Sequence, residues 1–136
     1  MSFFKDFMSK ISHGFLYVVD INTLVEYINE ELKFSLENNL EASAHCNIYY
    51  NGEKHEIQVW NHAASNFKTE QEKGLIVYYD DLEFKSVNDL MENAMIANIK
   101  LKEINEFFKI ELIDTDSAFL NDYKKNHPEL NVENYN

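Results

Sequence analysis

Residues 42–61 read ASAHCNIYYNGEKHEIQVWN, and this stretch decides the fold. Two runs rich in β-branched and aromatic residues flank Asn51-Gly52, a pair typical of the two-residue hairpin turn in which both central residues take positive φ. Such a turn places Tyr50 opposite Glu53. Because opposed residues share a face of the sheet, one face is predicted to be apolar. The members of that face are Ala44, Cys46, Ile48, Ile57 and Val59; the polar face holds Ser43, His45, Asn47, Tyr49, Lys54, Glu56, Gln58 and Trp60.

The segments before the hairpin are predicted to be helical. Apolar residues at helical spacing indicate an amphipathic helix over residues 1–14, which is expected to pack on the core or to mediate self-association as a homodimer. A second helix is predicted to open between Asp20 and Thr23, with a capping box of Thr23 and Glu26, and to end near Asn38-Asn39. Its apolar face is predicted to comprise Leu24, Ile28, Leu32 and Leu36.

The segments after the hairpin complete an α+β pattern. LIVYY (75–79) predicts a third strand, and FKIELI (108–113) a fourth. Between them, Ser86 and Asp89 are predicted to cap a long helix. A last helix is expected to end before His127-Pro128. The long helix is predicted to bury Leu90, Ala94, Ala97, Leu101, Ile104 and Phe108. The fold prediction is one α+β domain over residues 1–128, followed by a C-terminal tail, 129–136.

Composition excludes several classes of function. The chain has 24 acidic residues, 12 lysines and no arginine, for a net charge of −12. Proteins that bind nucleic acid or anionic lipid need a basic surface, so direct binding to either is not expected. A strongly basic partner protein would suit this charge, although acidity also serves solubility alone.

A cytoplasmic protein is expected from the remaining features. The chain has one cysteine, which excludes an intramolecular disulfide. No apolar run approaches the ~20 residues that a membrane span needs, and residues 1–14 do not resemble a secretory signal.

The cluster of His45, Cys46, His55 and His62 suggests a metal site, but the predicted register argues against one. His45 and Cys46 are adjacent in a strand and point to opposite faces. His45 and His62 lie roughly 13 Å apart at about 3.3 Å per residue, too far for one zinc ion. No metal, cofactor or catalytic residue is therefore predicted.

Candidate partner-binding residues come from the acidic segment after the third strand. Asp80, Asp81 and Glu83 follow that strand, while Asp89 and Glu92 open the next helix. These carboxylates are expected to cluster at one edge of the domain and to contact a partner. Two alternatives are a divalent-ion or acid–base site and the preference of acidic residues for a helix start.

The stretch HEIQVWNHAASNF (55–67) supports a family resemblance. The pattern EIxxxNHxA over 56–64, then Gly74-Leu75-Ile76-Val77 and a helix after Ser86, resembles small proteins of Firmicutes phages, in particular type II-A anti-CRISPR inhibitors of Cas9. The resemblance implies a non-enzymatic inhibitor that binds a nuclease of the host. The chain also departs from the family, because those inhibitors have a basic N-terminal arm where this chain has an apolar segment and then an acidic one. An acidic surface that fills a basic groove is the mechanism expected instead.

Three functional hypotheses follow. The first is a cytoplasmic inhibitor or interaction protein from a phage or mobile element, with Trp60 and His62 beside the acidic residues as contacts. The second is an immunity protein that neutralises a nuclease toxin. The third is a small ligand-binding or enzymatic α+β domain, which a deep concavity near His62 would favour. The Asn61-His62 pair is otherwise predicted simply to end its strand.

Overall fold

A computed structural model describes residues 16–38, 42–62 and 67–130. Its strands are β1 (Leu16–Val19), β2 (Ala42–Tyr50), β3 (Glu53–Asn61), β4 (Leu75–Tyr79), β5 (Leu82–Phe84), β6 (Met95–Ile96), β7 (Ile99–Lys100) and β8 (Phe108–Leu112). Its helices are α1 (Ile21–Glu37), α2 (Lys68–Gln71), α3 (Val87–Asn93) and α4 (Ser117–Asn126), with 3-10 turns at Leu101–Glu103 and Pro128–Leu130. The predicted α+β class is confirmed.

Six strands form one antiparallel sheet in the order β1-β8-β2-β3-β4-β5, and β6 and β7 pair separately. The predicted hairpin is confirmed residue by residue, from Tyr50 opposite Glu53 to Ala44 opposite Val59. Asn51 and Gly52 take φ of 48° and 83°, the left-handed values that the turn requires.

One face of the sheet is buried beneath helices. Its central residues are fully or almost fully buried: Ala44, Cys46, Ile48, Ile57, Val59, Val77, Tyr79, Ile110 and Leu112. Helices α1 and α4 close this core with aromatic contacts, including Tyr27 against Tyr123, with ring centroids 5.7 Å apart. The predicted apolar face of the hairpin is the core face.

The opposite face of the sheet, called the open face from here on, contributes none of its described hydrophobic side chains to the buried core. The register assigns these residues to it: Leu16, Val18, Ser43, His45, Asn47, Tyr49, Lys54, Glu56, Gln58, Trp60, Ile76, Tyr78, Glu83, Lys109 and Glu111. Half of the sheet's side chains therefore remain outside the helix-covered core.

The predicted capping box at the start of α1 is wrong by three residues, almost a full helical turn. Asp20, not Thr23, is the N-cap, and its carboxylate accepts a hydrogen bond from the Thr23 backbone N–H at 2.8 Å. Leu24 and Ile28 are buried in α1 as predicted, together with Tyr27, Glu31 and Ser35, whereas Leu36 is exposed.

The predicted long helix after Ser86 is also wrong. Helix α3 ends at Asn93, because Ala94 has an extended backbone. Ala97 and Asn98 take φ of 50° and 68° and turn the chain between β6 and β7. Ala94, Leu101, Ile104 and Phe108 are nevertheless buried as predicted. The apolar residues of this segment have helical spacing in the sequence, but they lie in the short helix α3, in the β6–β7 hairpin and in the residues that follow it.

The remaining predictions have mixed outcomes. Strand β8 and helix α4 lie where expected, and Asp116 caps α4. Strands β1 and β5 were not predicted. Leu130 packs against the core, so core packing extends two residues beyond the predicted limit of 128.

The predicted helix over 1–14 and most of the predicted tail lie outside the described residues. No described helix is long and apolar enough to cross a membrane.

Candidate functional site

Trp60 and His62 lie together at one end of the open face. The Trp60 indole is half-buried, stacks on the His62 ring at 6.2 Å with an interplanar angle of 5°, and donates from Nε1 to Gln58 Oε1 at 3.3 Å. Strand β3 ends at Asn61, and the His62 backbone N–H donates to the Gly74 carbonyl at 2.9 Å. The predicted strand end and the shared face of Trp60 and His62 are confirmed.

Two further residues extend this aromatic region, and sequence reasoning missed them. Ile76 is opposite Trp60, and Tyr78 is opposite Gln58 and Glu83. Ile76 and Tyr78 are half-buried, whereas Glu83 is exposed. The available signal was the LIVYY run, which is apolar on both faces. Of this run, Ile76 and Tyr78 lie on the open face.

Asp80 is held within the chain. It takes φ of 54° at the turn between β4 and β5. Its carboxylate accepts from the Glu56 backbone N–H at 2.9 Å and lies 2.6 Å from His55 Nδ1. Its own backbone N–H donates to the Glu56 carbonyl at 2.8 Å. Asp80 therefore fastens this turn to β3.

His55 links two carboxylates. Its Nε2 lies 3.0 Å from Glu53 Oε1, its Nδ1 contacts Asp80, and its ring stacks on Tyr79 at 4.8 Å. Burial alone would lower the pKa of His55, but the hydrogen bonds to Asp80 and Glu53 outweigh it and raise the pKa. Burial likewise opposes ionisation of Asp80, yet the Glu56 N–H and His55 hold its pKa below the ordinary value. Glu53, His55 and Asp80 therefore form a group of ion-paired side chains, called the brace from here on.

The other predicted carboxylates differ in whether they contact another described residue of the chain. Asp89 accepts from the Lys85 backbone N–H at 3.0 Å and donates its own N–H to Ser86 Oγ at 2.9 Å, so its predicted capping role is confirmed. Glu92 lies 3.9 Å from Lys102 Nζ. Asp81 and Glu83 are exposed and form no ion pair or side-chain hydrogen bond within the described part of the chain.

The candidate metal ligands are kept apart as the register predicted. His45 lies on the open face, where its Nε2 is 2.6 Å from Glu56 Oε2, while Cys46 is 1% exposed in the core. Burial, then Glu31 and Glu56, raise the pKa of the Cys46 thiol, so the thiolate is disfavoured. Over residues 16–38, 42–62 and 67–130, no three His, Cys, Asp or Glu side chains are arranged to hold a metal ion.

A buried carboxyl group lies under α1, and the sequence reasoning did not find it. Glu31 is 6% exposed, and the Tyr27 hydroxyl donates to its carboxylate. Burial is the main influence and, with Asp116 nearby, raises the pKa of Glu31 to about 7, although the Tyr27 hydrogen bond opposes this. The signal was present in the sequence, because Glu31 lies four and seven residues after Tyr27 and Leu24, on one helical stripe.

Two grooves are lined by described residues. One, of about 560 Å³, lies at the Asn51-Gly52 turn and includes Tyr49, Lys54 and Phe107. The other, of about 240 Å³, lies between α1 and α4 and includes Glu30, Glu37 and Asp122. His62 lines neither of these two grooves.

Comparison with protein families, curated proteins and solved structures finds no match to this chain.

Proposed function

We propose that this chain is a non-enzymatic protein-binding module that inhibits a basic host protein in the bacterial cytoplasm. The observation that supports this most is the open face. It combines half-buried Trp60, Ile76 and Tyr78 with the exposed carboxylate of Glu83. Half-buried aromatic side chains beside a charged rim are typical of protein interfaces.

The charge of the chain suggests the class of partner. A net charge of −12 attracts a basic protein and accelerates encounter with it. Nucleases have basic grooves for their substrates, so an acidic module can compete for such a groove. The proposed partner is a nuclease, in line with the resemblance to Cas9 inhibitors and to phage origin. A nuclease toxin would require the same surface, as in the immunity-protein hypothesis.

Asp81 and Glu83 are the residues to change in a test, since Asp80 and Asp89 hold the fold. The experiment is quantitative affinity capture from host lysate with three baits: wild type, Asp81→Lys/Glu83→Lys, and Glu37→Lys/Glu72→Lys. The last is a matched control, because it makes the same change in charge at two exposed residues elsewhere.

The proposal predicts a basic protein that wild type and the control enrich and the Asp81/Glu83 variant does not. The loss should shrink as salt rises, because exposed charges are screened. Capture of the same proteins by all three baits, or loss with the control alone, would refute a role for this surface.

A further inference from the structure

Trp60, Tyr78 and Glu83 form a group on three neighbouring strands of the open face, called the aromatic–acid shelf from here on. Tyr78 is directly opposite Glu83, and Trp60 is opposite Ile76, two residues from Tyr78. Trp60 and Tyr78 are therefore diagonal cross-strand neighbours, at a spacing that aromatic side chains can span. The shelf thus combines two aromatic rings with one carboxylate at the rim.

This combination suits one side chain better than any other. The planar arginine guanidinium stacks on aromatic rings while donating two hydrogen bonds to a carboxylate, whereas the lysine ammonium acts as a compact, strongly hydrated charge. Glu83 forms no ion pair or hydrogen bond with another residue in the described ranges. The chain contains no arginine, so a guanidinium at this position must come from another molecule.

We infer that the aromatic–acid shelf binds an arginine side chain of the partner, an inference that rests on the proposed function. The guanidinium stacks on Trp60, with Tyr78 beside it, and pairs with Glu83. The partner's contact segment is therefore specifically rich in arginine and not merely basic. Glu83 lies on the edge strand β5, where a charge also discourages edge-to-edge association of sheets. That role alone would give the protein no preference for arginine over lysine.

The test compares two fluorescein-labelled peptides, Gly-Arg-Gly-Arg-Gly-Arg and Gly-Lys-Gly-Lys-Gly-Lys, by fluorescence anisotropy with the full chain at low salt. Stacking on an aromatic ring predicts about three- to thirty-fold tighter binding of the arginine peptide. Two variants, Glu83→Gln and Trp60→Leu, should each remove most of this preference. Glu83 is exposed, so its variant keeps the test valid even if Trp60→Leu fails to fold.

Glu37→Gln is the matched control, because Glu37 lies in the acidic groove between α1 and α4. It should bind both peptides as wild type does. Equal affinity for the two peptides, a preference that survives Glu83→Gln, or a preference lost in Glu37→Gln would each overturn the shelf. None of these results bears on whether a basic partner is captured through Asp81 and Glu83, so failure of the shelf and failure of the proposed function are distinguishable.

Discussion

Changing Glu31 to glutamine should stabilise the protein at alkaline pH and have little effect at acidic pH. Glu31 is 6% exposed, and burial raises its pKa from 4.5 to about 7. A group whose pKa is raised on folding stabilises the protein fully below its unfolded pKa, and this contribution is lost as pH rises through the folded pKa. Wild type should therefore lose stability between about pH 4.5 and pH 7.

The size of the loss follows from the pKa. At about 1.4 kcal/mol per pH unit, a pKa raised from 4.5 to about 7 corresponds to about 3 kcal/mol. Glutamine is uncharged at every pH and can still accept the hydrogen bond of the Tyr27 hydroxyl. The free energy of unfolding of Glu31→Gln minus that of wild type should thus increase by about 3 kcal/mol between pH 4.5 and pH 8.

The assay is urea denaturation of wild type, Glu31→Gln and Glu37→Gln at pH 4.5, 6, 7 and 8. Titration of other groups is common to all three proteins and cancels in the differences. Glu37 is exposed, so its variant should follow wild type at every pH. A difference between Glu31→Gln and wild type that does not change with pH would refute the reasoning about burial.

Three other predictions concern the brace, the short hairpin and the thiol. Asp80→Asn should lower the free energy of unfolding by about 1–2 kcal/mol. The loss should be larger at pH 6 than at pH 9, because folding raises the pKa of His55. The ion pair of His55 with Asp80 therefore stabilises the protein fully below the pKa that His55 has in the unfolded chain, and this contribution is lost as pH rises. Equal losses in urea titrations at both pH values would contradict this. Ala97→Gly should stabilise by about 0.5–1 kcal/mol by relieving a left-handed backbone, whereas Ala94→Gly, at an extended position, should destabilise; thermal unfolding of the pair decides. Cys46 should react slowly with a thiol reagent under native conditions, and Cys46→Ser should cost about 1–3 kcal/mol; rapid labelling would show that it is accessible.

The hairpin was predictable because local chemistry determines it. Asn51-Gly52 fixes the turn, and alternation on both strands then fixes which face is buried. The capping residue Asp89 was predictable for the same reason, since a capping box depends on neighbours in sequence.

The long helix could not be excluded from the sequence, because burial and helical spacing agreed there. Ala97 takes a left-handed conformation that alanine disfavours. Tertiary packing of Ile96 and Leu101 into the core outweighs that preference.

The candidate site was predictable only in part. Trp60 follows from alternation in β3 and Glu83 from the acidic segment after β4, but their proximity depends on the pairing of β3, β4 and β5, which is not local. The ties of Asp80 to His55 and Glu56 depend on the same pairing.

The most direct test of the central claim, that basic partners bind the open face, is a two-dimensional ¹H–¹⁵N NMR titration of the full chain with unlabelled Gly-Arg-Gly-Arg-Gly-Arg. The account predicts chemical-shift changes at the Trp60 indole N–H and at backbone amides of β3, β4 and β5, centred on Tyr78 and Glu83. Changes centred instead on α1 and α4, around Glu30 and Asp122, would contradict it.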